Sequence, residues 1–454
     1  MNEVRPAAVA GMFYPRDARA LEREVAGLLD GVEHLAPRFG HPKALIVPHA
    51  GYVYSGPVAA RAYDELSAAR GIVTRVVMLG PVHRVPVRGL ALPGVSAFET
   101  PLGRVAVDAQ AVKLLAPYRQ VTTSPAAHAM EHSLEVQLPF LQRMLGEFAL
   151  VPLAVGDARP QEVREVVERL WGGPETLFVI STDLSHYHRY DEARAIDQAT
   201  LARIASFDTD LNHEEACGAT PLNGFLAAAK ARGLSIRLLG ACNSGDTAGP
   251  KDRVVGYAAF ALHEGSRASL EETGETLIDI AHGAIGHGLG AHAEAPRTDT
   301  APWLARPGAS FVTLQLEGRL RGCIGSLAPR RALGADVAEN ALAAALRDPR
   351  FSPLTMAEWR RCALEVSVLS PAKPLRFADE PELLAQLRPG EDGLILEHEG
   401  RRGTFLPQVW ESLPDKRAFL AELGRKAGVS PGTPLAHCRF WRYRVIKWHR
   451  PAPH

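Results

Sequence analysis

The sequence has few cysteines and no segment suited to crossing a membrane. Its five cysteines are widely spaced, and no two of them form a CxxC pair. This spacing gives no sign of a disulfide framework or of a zinc site built from thiolates. No run approaches the roughly 18 apolar residues of a spanning helix, and MNEVRPAAVAGMFYPRD lacks the basic and apolar regions of a signal peptide. We therefore expect a cytoplasmic protein that does not contact a membrane.

An excess of charge of one sign is absent as well. Lysine plus arginine and aspartate plus glutamate each number 51, so the formal net charge is +0. This balance gives no reason to expect nucleic acid as a partner. With 454 residues, of which 46% are apolar, the chain is long enough to form two or three globular domains.

The first part of the chain alternates apolar runs with helical patterns. The runs KALIVPH, TRVVMLGPVH, FALVPLAVGD, ETLFVISTDLSH and LSIRLLGACNSGD are strand-like and mostly rich in valine, leucine and isoleucine, and VVGYAAFALHE resembles a last strand. Strands buried on both faces have this composition. Residues 1–264 are therefore predicted to form an α/β domain with a mostly parallel sheet and helices on both faces.

The character of the sequence changes after residue 264. SFVTLQLEGRLRGCIGSL alternates like a hairpin with a turn near Glu317–Gly318, and ALEVSVLSP and CRFWRYRVIKW are further strand-like segments. Strands in succession with separate helices are typical of an antiparallel sheet. Residues 265–454 are therefore predicted to form a separate α+β domain.

Side chains that bind metals or transfer protons follow four predicted strands of the first domain. A single histidine in a loop is more often an ordinary hydrogen-bonded residue than a ligand, but four such strand ends together favour a shared site. In an α/β sheet, ligands bind at the carboxyl ends of the strands. The strand-end residues are His49, His83, Asp183 with His186, and Cys242 with Asp246.

The residue types at these strand ends suit a transition metal. Two histidines and a carboxylate are the ligands of non-haem Fe(II) sites, and the same side chains can hold zinc. His132 lies instead at the start of a helical pattern, in EHSLEVQLPF. The residue types alone do not choose the metal.

The motifs AGMFYP, PHAGYVYSG, LGPVHR, FETPLG, EHSLEVQLPFLQ, STDLSHY and VVGYAAFA together resemble the Memo family (mediator of cell motility) over residues 5–264. The resemblance implies a fold similar to extradiol-type dioxygenases and redox activity with Fe(2+) or copper. His49 and His83 match the family's metal ligands. A cysteine of the animal members aligns with Asp246, so Asp246 is the preferred third ligand and Cys242 the alternative.

The extradiol-type fold also implies roles for three further residues. In such enzymes a histidine acts as acid and base on the substrate and on the bound oxygen. His186, oriented by Asp183, is expected to fill this role, and His132 is the other candidate.

The second half contains LRGCIG, DPRFSPL, LEVSVLSP and FLAELGRKAG, and it resembles the AMMECR family over residues 268–450. Cys323, between two glycines, is more often structural than nucleophilic in such a setting. Separate Memo-like and AMMECR-like proteins are similar to parts of a prokaryotic set that includes a radical-SAM protein. The fusion implies that a radical-SAM protein is a partner, while the absence of CxxxCxxC means that this chain is not that enzyme.

Three functions follow from these observations. The first is a metal-dependent redox enzyme of dioxygenase type, acting on an unidentified small molecule or modified substrate. The second is a non-catalytic module that binds a peptide or a partner, with Tyr52, Tyr54 and Tyr187 as aromatic contacts. The third is metal-assisted hydrolysis, since the same ligands can activate water.

Overall fold

The computed structural model describes residues 3–32, 41–67, 69–264, 270–305, 307–430 and 433–452. These residues divide into two compact units, one within residues 3–264 and the other within residues 270–452. The domain boundary predicted at 264/265 adjoins residues 265–269, which lie outside the described residues. Among the described residues, no helix combines the length and the apolar character that a membrane crossing requires.

The first unit contains twelve described strands and eight described α-helices. The strands are β1 Val4–Arg5, β2 Ala44–Val47, β3 Arg75–Pro81, β4 Leu90–Leu92, β5 Ala97–Thr100, β6 Gly103–Ala106, β7 Val121–Thr123, β8 Ala149–Val155, β9 Thr176–Ser181, β10 His186–His188, β11 Ser235–Asn243 and β12 Val254–His263. The helices are α1 Ala18–Asp30, α2 Tyr52–Asp64, α3 Ala109–Leu115, α4 Pro125–Ala129, α5 Leu138–Leu145, α6 Pro160–Arg169, α7 Tyr190–Ala205 and α8 Ala219–Ala231, with 3-10 turns at Glu135–Gln137 and Ser244–Asp246.

Nine of these strands form one sheet, in the order β10-β12-β2-β9-β3-β8-β4-β7, with β11 paired to β12. The central strands β2, β9, β3 and β8 are parallel. However, β12 runs antiparallel to β2, β10 and β11, and β4 runs antiparallel to β8. The predicted α/β class is confirmed, but the sheet is mixed rather than mostly parallel, because the last strand returns as a hairpin with β11.

The sheet is buried on both faces, as its continuous apolar strands predicted. Ala44 and Ile46 of β2 belong to one hydrophobic cluster with residues of α6 and α8. Leu45 and Val47 belong to another cluster with residues of α1, α2 and α5. Because successive side chains of a strand point to opposite faces, these two clusters lie on the two sides of the sheet.

The second unit is built on antiparallel sheets. Its strands are β13 Pro307–Gly308, β14 Ser310–Leu316, β15 Arg319–Gly325, β16 Arg331–Ala332, β17 Cys362–Leu369, β18 Lys373–Leu375, β19 Gly393–His398, β20 Arg401–Phe405, β21 Arg439–Tyr443 and β22 Val445–Arg450. Its helices are α9 Leu270–Gly288, α10 Leu333–Leu346, α11 Met356–Trp359, α12 Glu380–Gln386, α13 Val409–Ser412 and α14 Lys416–Lys426, with 3-10 turns at Pro302–Ala305 and Leu435–His437.

The strand orders in this unit confirm the predicted antiparallel α+β arrangement. Two four-stranded sheets have the orders β15-β14-β17-β22 and β18-β21-β19-β20, and every pair in them is antiparallel. The predicted hairpin is formed by β14 and β15, with its turn at Glu317 (φ 53°) and Gly318 (φ 75°). Two consecutive positive φ angles are typical of the tight turns that join antiparallel strands.

Candidate metal centre

Three neighbouring strands of the first unit deliver polar side chains to one edge of the sheet. His49 follows the end of β2 at Val47, His83 follows the end of β3 at Pro81, and Asp183 follows the end of β9 at Ser181, each two residues beyond its strand. The order β2-β9-β3 places these strands side by side, and all three are parallel. Equal offsets at adjacent parallel strands therefore bring the three residues together.

A third histidine completes a cluster at this edge. His132 lies in the segment between α4 and the 3-10 turn Glu135–Gln137. One ligand nitrogen from each of His49, His83 and His132 lies within 4.8 Å of the other two. The ring centroids are 4.6 to 5.3 Å apart. Three converging imidazoles of this kind can bind one transition-metal ion.

Of the two residues considered for the third ligand, Cys242 lies in β11 and Asp246 in the 3-10 turn that follows it. Cys242 belongs to β11, which is separated from β2 by β12, so the two strands are about 10 Å apart. The carboxylate of Asp246 is exposed and accepts hydrogen bonds from the Tyr190 hydroxyl and the Asn243 amide. Neither belongs to the three-residue group in the described part of the chain, where His132 accompanies His49 and His83 instead.

The orientation of the His49 ring is set by a buried serine. His49 is 2% exposed, and its Nδ1 lies 2.9 Å from Ser181 Oγ. That hydroxyl donates its only proton to the Ser133 carbonyl at 2.7 Å, and it also accepts from Gln137 Nε2 at 3.0 Å. It must therefore accept from Nδ1–H of His49. Nε2 of His49 is left with its lone pair available.

One buried carboxylate, Glu131, orders the other two histidines. Its Oε1 accepts from His83 Nδ1 at 2.8 Å, from the His132 amide at 3.0 Å and from the Ser133 amide at 2.9 Å. Its Oε2 accepts from the His83 amide at 2.7 Å. Burial by itself raises the pKa of Glu131, but the hydrogen bonds from His83 and the backbone lower it to about 2. The ionised carboxylate holds the proton on His83 Nδ1 and leaves Nε2 for a ligand.

The cluster favours neutral imidazoles, which is the form that binds metals. Burial lowers the pKa of His132 to about 4, and burial and the neighbouring histidines keep the pKa of His49 well below its ordinary value. Nδ1 of His132 is buried and has no hydrogen-bond partner in the described part of the chain. This nitrogen lies 3.4 Å from Oε1 of Glu131, an oxygen that already accepts three hydrogen bonds.

Asp183 and His186 lie beside the cluster but do not pair with each other as the sequence predicted. Asp183 Oδ1 accepts from the His49 amide at 2.7 Å, and its other oxygen lies 3.9 Å from His49 Nε2. Burial raises the pKa of Asp183 to about 7. His186 Nδ1 instead contacts the Leu184 carbonyl at 2.8 Å. Asp183 thus positions His49, and a backbone carbonyl orients His186.

Sequence reasoning missed Cys217, which contacts the cluster directly. Its Sγ lies 3.3 Å from Nε2 of His49, and burial raises the pKa of this thiol to about 12. Cys217 precedes α8 in a segment without any ligand-like spacing, so the sequence carries no signal for its position. Glu131 lies next to His132 in EHSLEVQLPF, and the motif alone does not indicate that it binds two histidines.

One phenylalanine ring contacts the cluster, and the three tyrosines predicted as contacts differ in exposure. The Phe13 ring lies 4.7 Å from the His132 ring, between centroids. Tyr52 is buried, and its hydroxyl donates to the Val136 carbonyl. Tyr54 and Tyr187 are 37% and 64% exposed, and Tyr187 has the positive φ of 61°. Of the three tyrosines expected as contacts, only these two are open to solvent.

In the second unit, Cys323 lies within β15 and has structural contacts. Its Sγ accepts from the Thr313 hydroxyl at 3.3 Å, and its amide donates to Asp348 at 2.8 Å. A β-carbon added at Gly322 would lie 2.2 Å from the Ala344 carbonyl oxygen. The close approach of α10 to β15 therefore explains why residue 322 is a glycine.

Fold and site together define a two-part chain, in which a mixed α/β unit carries three converging histidines and an antiparallel α+β unit follows. Residues 5–261 match the family described as Memo-like protein, and residues 278–448 match the family described as AMMECR1. The chain therefore belongs to the Memo-like family and carries an AMMECR1 domain, which confirms both resemblances.

Two relatives of the MEMO1 family agree with the Memo-like assignment. A MEMO1 family protein of Ignicoccus hospitalis is 38% identical over 280 residues, covering 56% of this chain and 97% of that protein. Another MEMO1 family protein, of Methanopyrus kandleri, is 36% identical over 282 residues, covering 58% of this chain and 99% of that protein. The crystal structure of an uncharacterized protein of Pyrococcus horikoshii is 33% identical, with a TM-score of 0.37, and covers 40% of this chain and 93% of that one.

Proposed function

We propose that this chain is a metal-dependent oxidoreductase of dioxygenase type whose first unit binds iron or copper. The observation that carries the proposal is the convergence of His49, His83 and His132 within 4.8 Å at the carboxyl edge of the sheet. Supporting it, Ser181 and Glu131 hold protons on the Nδ1 atoms of two of these rings, so that their Nε2 atoms are free to bind.

The residues present fit a bound metal. Three neutral imidazoles suit Fe(2+), copper and zinc. Nδ1 of His132 makes no hydrogen bond within the described residues, although it lies 3.4 Å from Oε1 of Glu131. When bound, iron or copper would supply one-electron and oxygen chemistry, whereas zinc would supply only a Lewis acid. The fit therefore supports a metal centre, and the choice of redox metal is part of the proposal.

The protein groups next to the cluster would handle protons. The carboxylate of Asp183 accepts a hydrogen bond from the backbone amide of His49 and so fixes the backbone there. Burial raises the pKa of Asp183 to about 7, so this carboxylate can carry a proton near neutral pH. His186 is half-buried and has its Nδ1 fixed on the Leu184 carbonyl, so Nε2 is the nitrogen left to exchange a proton with a substrate. We assign His186 the acid/base role and Asp183 a positioning role.

A radical-SAM protein remains the partner that we propose for this chain. The support is the fusion of a Memo-like domain to an AMMECR1 domain in one polypeptide. The substrate is a small molecule or a modified group that the partner supplies or consumes.

Metal analysis of the purified protein tests the central claim. We expect about one equivalent of iron or copper, lost in His49→Ala and His83→Ala but kept in His188→Ala. His188 is a matched control because it lies in the same unit and contacts Glu192 instead of the cluster. Absence of stoichiometric metal in the wild type, or equal loss in the control, would overturn the proposal. Oxygen-independent hydrolysis of a substrate would favour zinc chemistry instead.

A non-catalytic binding module is the second candidate, favoured by the exposed rings of Tyr54 and Tyr187. In that case the radical-SAM partner would bind equally well to the wild type, to His83→Ala and to protein treated with a chelator. Binding that weakens with Tyr187→Ala but not with His83→Ala would support this function over the enzyme.

A further inference from the structure

Tyr187 combines an unfavourable backbone conformation with an exposed aromatic ring. Its φ is 61°, in the left-handed region that a residue with a β-carbon rarely adopts, and its side chain is 64% exposed. Conformations of this kind persist only where the surrounding structure enforces them, and they cluster at functional sites. Tyr187 is the middle residue of β10, between His186 and His188, so its conformation determines how these two side chains are aimed.

The irregularity at Tyr187 separates the two histidines of β10. Residues two apart on a regular strand point to the same side. Here the register with β12 shifts between His186 and His188, and His188 Nδ1 contacts Glu192 at 3.2 Å. His186 instead lies close enough to His49 to contribute, after burial and the other two histidines, to lowering the pKa of His49. A bulge of this kind re-aims side chains next to a site, and it leaves the Tyr187 ring open to solvent.

The exposed ring of Tyr187 lies beneath Arg253, which directly precedes β12. The guanidinium carbon of Arg253 is 4.9 Å from the centre of that ring. Arg253 is exposed, and within the described part of the chain its side chain forms no hydrogen bond and no ion pair. A guanidinium placed over a ring keeps the N–H groups of its edge free for the oxygens of a carboxylate or a phosphate. The Tyr187 ring lies 5.7 Å from the His186 ring, between centroids, so these contacts lead from Arg253 to the metal centre.

A second arginine, Arg84, adjoins the same cluster. It follows His83 directly and is exposed, and its side chain likewise has no hydrogen bond or ion pair among the described residues. The pKa of His132 is lowered by burial and also by nearby positive groups, of which Arg84 is one. Glu214 is an exposed carboxylate whose charge opposes the lowering of the His186 pKa by burial, but it is paired with neither arginine in the part of the chain that the structure describes. Both guanidinium groups are therefore available to an anion.

Resting on the metal centre proposed above, we propose that Arg253, held on the Tyr187 ring, binds an oxyanion of the substrate, which is a small molecule with a carboxylate or a phosphate group. The guanidinium donates two parallel hydrogen bonds to two oxygens of that group. Tyr187 positions the guanidinium, and the charge of Arg84 attracts the anion to the metal centre. The anionic group then lies on the His186 side of the cluster, and the reacting part of the substrate faces the three histidines.

Titration calorimetry with two anionic probes and one neutral probe tests the anion site. Benzoate, phenyl phosphate and benzyl alcohol are titrated into full-length protein, both as purified and after removal of metal. We expect at least one anion to bind and benzyl alcohol not to bind, and the tighter anion identifies the group. Arg253→Ala should weaken binding about 10- to 100-fold, because hydrogen bonds to a charged group are lost, and Arg253→Lys should lose less since it keeps the charge. Absence of anion binding, equally tight binding of benzyl alcohol, or equal affinity in Arg253→Ala overturns the proposal.

Arg232→Ala is the matched control for this titration. Arg232 is also exposed, and its guanidinium carbon lies 4.3 Å from the centre of the Trp171 ring. That ring is near Lys43, which directly precedes β2 at the amino end of the parallel strands. The control therefore removes the same charge and the same kind of contact at the opposite edge of the sheet, and its affinity for the anion should equal that of the wild type. An equal loss in the control would mean a general effect of charge and would contradict a site at Arg253.

Cobalt substitution locates the bound anion relative to the metal centre. Co²⁺ is paramagnetic, so the ring protons of a probe bound nearby should relax faster in Co²⁺-loaded than in Zn²⁺-loaded protein. Arg253→Ala should abolish this difference. A difference that persists in the variant means that the anion binds the metal itself, and no difference in the wild type means that the anion is far from the metal; either result overturns the proposal. A wild type that takes up no cobalt overturns the proposed metal centre, whereas the titration of metal-free protein judges the anion site by itself.

Discussion

Replacing Glu131 with glutamine gives the sharpest test of how the cluster is organised. The carboxylate accepts four hydrogen bonds, two from His83 and one each from the amides of His132 and Ser133. Glutamine has the same shape but replaces one acceptor oxygen with a donor. At least one buried N–H then loses its partner, at a cost of about 1–3 kcal/mol.

The effect on metal binding should be of the same size. Loss of the carboxylate frees the His83 ring to adopt the other tautomer, and removing such a partner typically weakens metal affinity about 10- to 100-fold. This factor corresponds to about 1.4–2.8 kcal/mol. The assay is a titration of apo protein with metal in competition with a chromophoric chelator, alongside thermal unfolding of the apo form.

Glu135→Gln is the matched control for this experiment. Glu135 is also a buried carboxylate with several donors, namely the Arg5 guanidinium, the Tyr14 hydroxyl and the amides of Ala8 and Val9. Within the described residues no histidine forms a hydrogen bond or ion pair with it. The variant Glu135→Gln should lower the unfolding temperature without a comparable loss of metal affinity. Metal binding by Glu131→Gln within about twofold of the wild type, or an equal loss of affinity in the control, would contradict this role of Glu131.

Three further predictions follow. Ser181→Ala removes the acceptor for Nδ1 of His49, so metal affinity should fall about tenfold in the same titration, and unchanged affinity would contradict the assigned tautomer. Arg5→Leu leaves Glu135 charged and buried without its cation, so urea unfolding should show a loss of about 3–5 kcal/mol, and a loss below about 1 kcal/mol would argue against a buried ion pair. A hydrogen-bonded arginine lowers the pKa of Glu358 from 4.5 to about 2, so its stabilising effect is full above pH 4.5 and is lost as the pH falls through 2. The difference in unfolding midpoint between wild type and Glu358→Gln should therefore shrink across that window, and a constant difference would contradict it.

Much of the architecture could be predicted because local patterns in the sequence determine where strands, helices and turns form. The continuous apolar runs predicted strands buried on both faces, and Glu317–Gly318 predicted the turn between β14 and β15. The order of strands in the sheet could not be predicted, because pairing between distant segments leaves no local pattern. The expectation of Asp246 as a ligand came from the resemblance to the Memo family, and it carried no information on the position of β12 between β2 and β11.

Position at a strand end predicted only part of the candidate site, and His132 was expected there only as an acid/base candidate of the extradiol-type fold. His49, His83 and Asp183 each stand two residues beyond a strand end, and parallel neighbours bring such positions together. His132 and Cys217 come from connecting segments instead. Their approach depends on how those segments pack over the sheet edge, and neither the spacing nor the residue types near them contain that information.

The seven residues from Glu131 to Gln137 link almost every part of the site. Glu131 holds two histidines, Ser133 accepts from Ser181, and Gln137 reaches Ser181 and the Pro48 carbonyl. Glu135, in the same stretch, accepts a hydrogen bond from Arg5 of the N-terminal segment. A local opening of this stretch would release all of these contacts at once. Amide hydrogens of residues 131–137 should therefore exchange as one unit, and an ion bound at the cluster would slow the exchange of the whole stretch, including residues that never touch it.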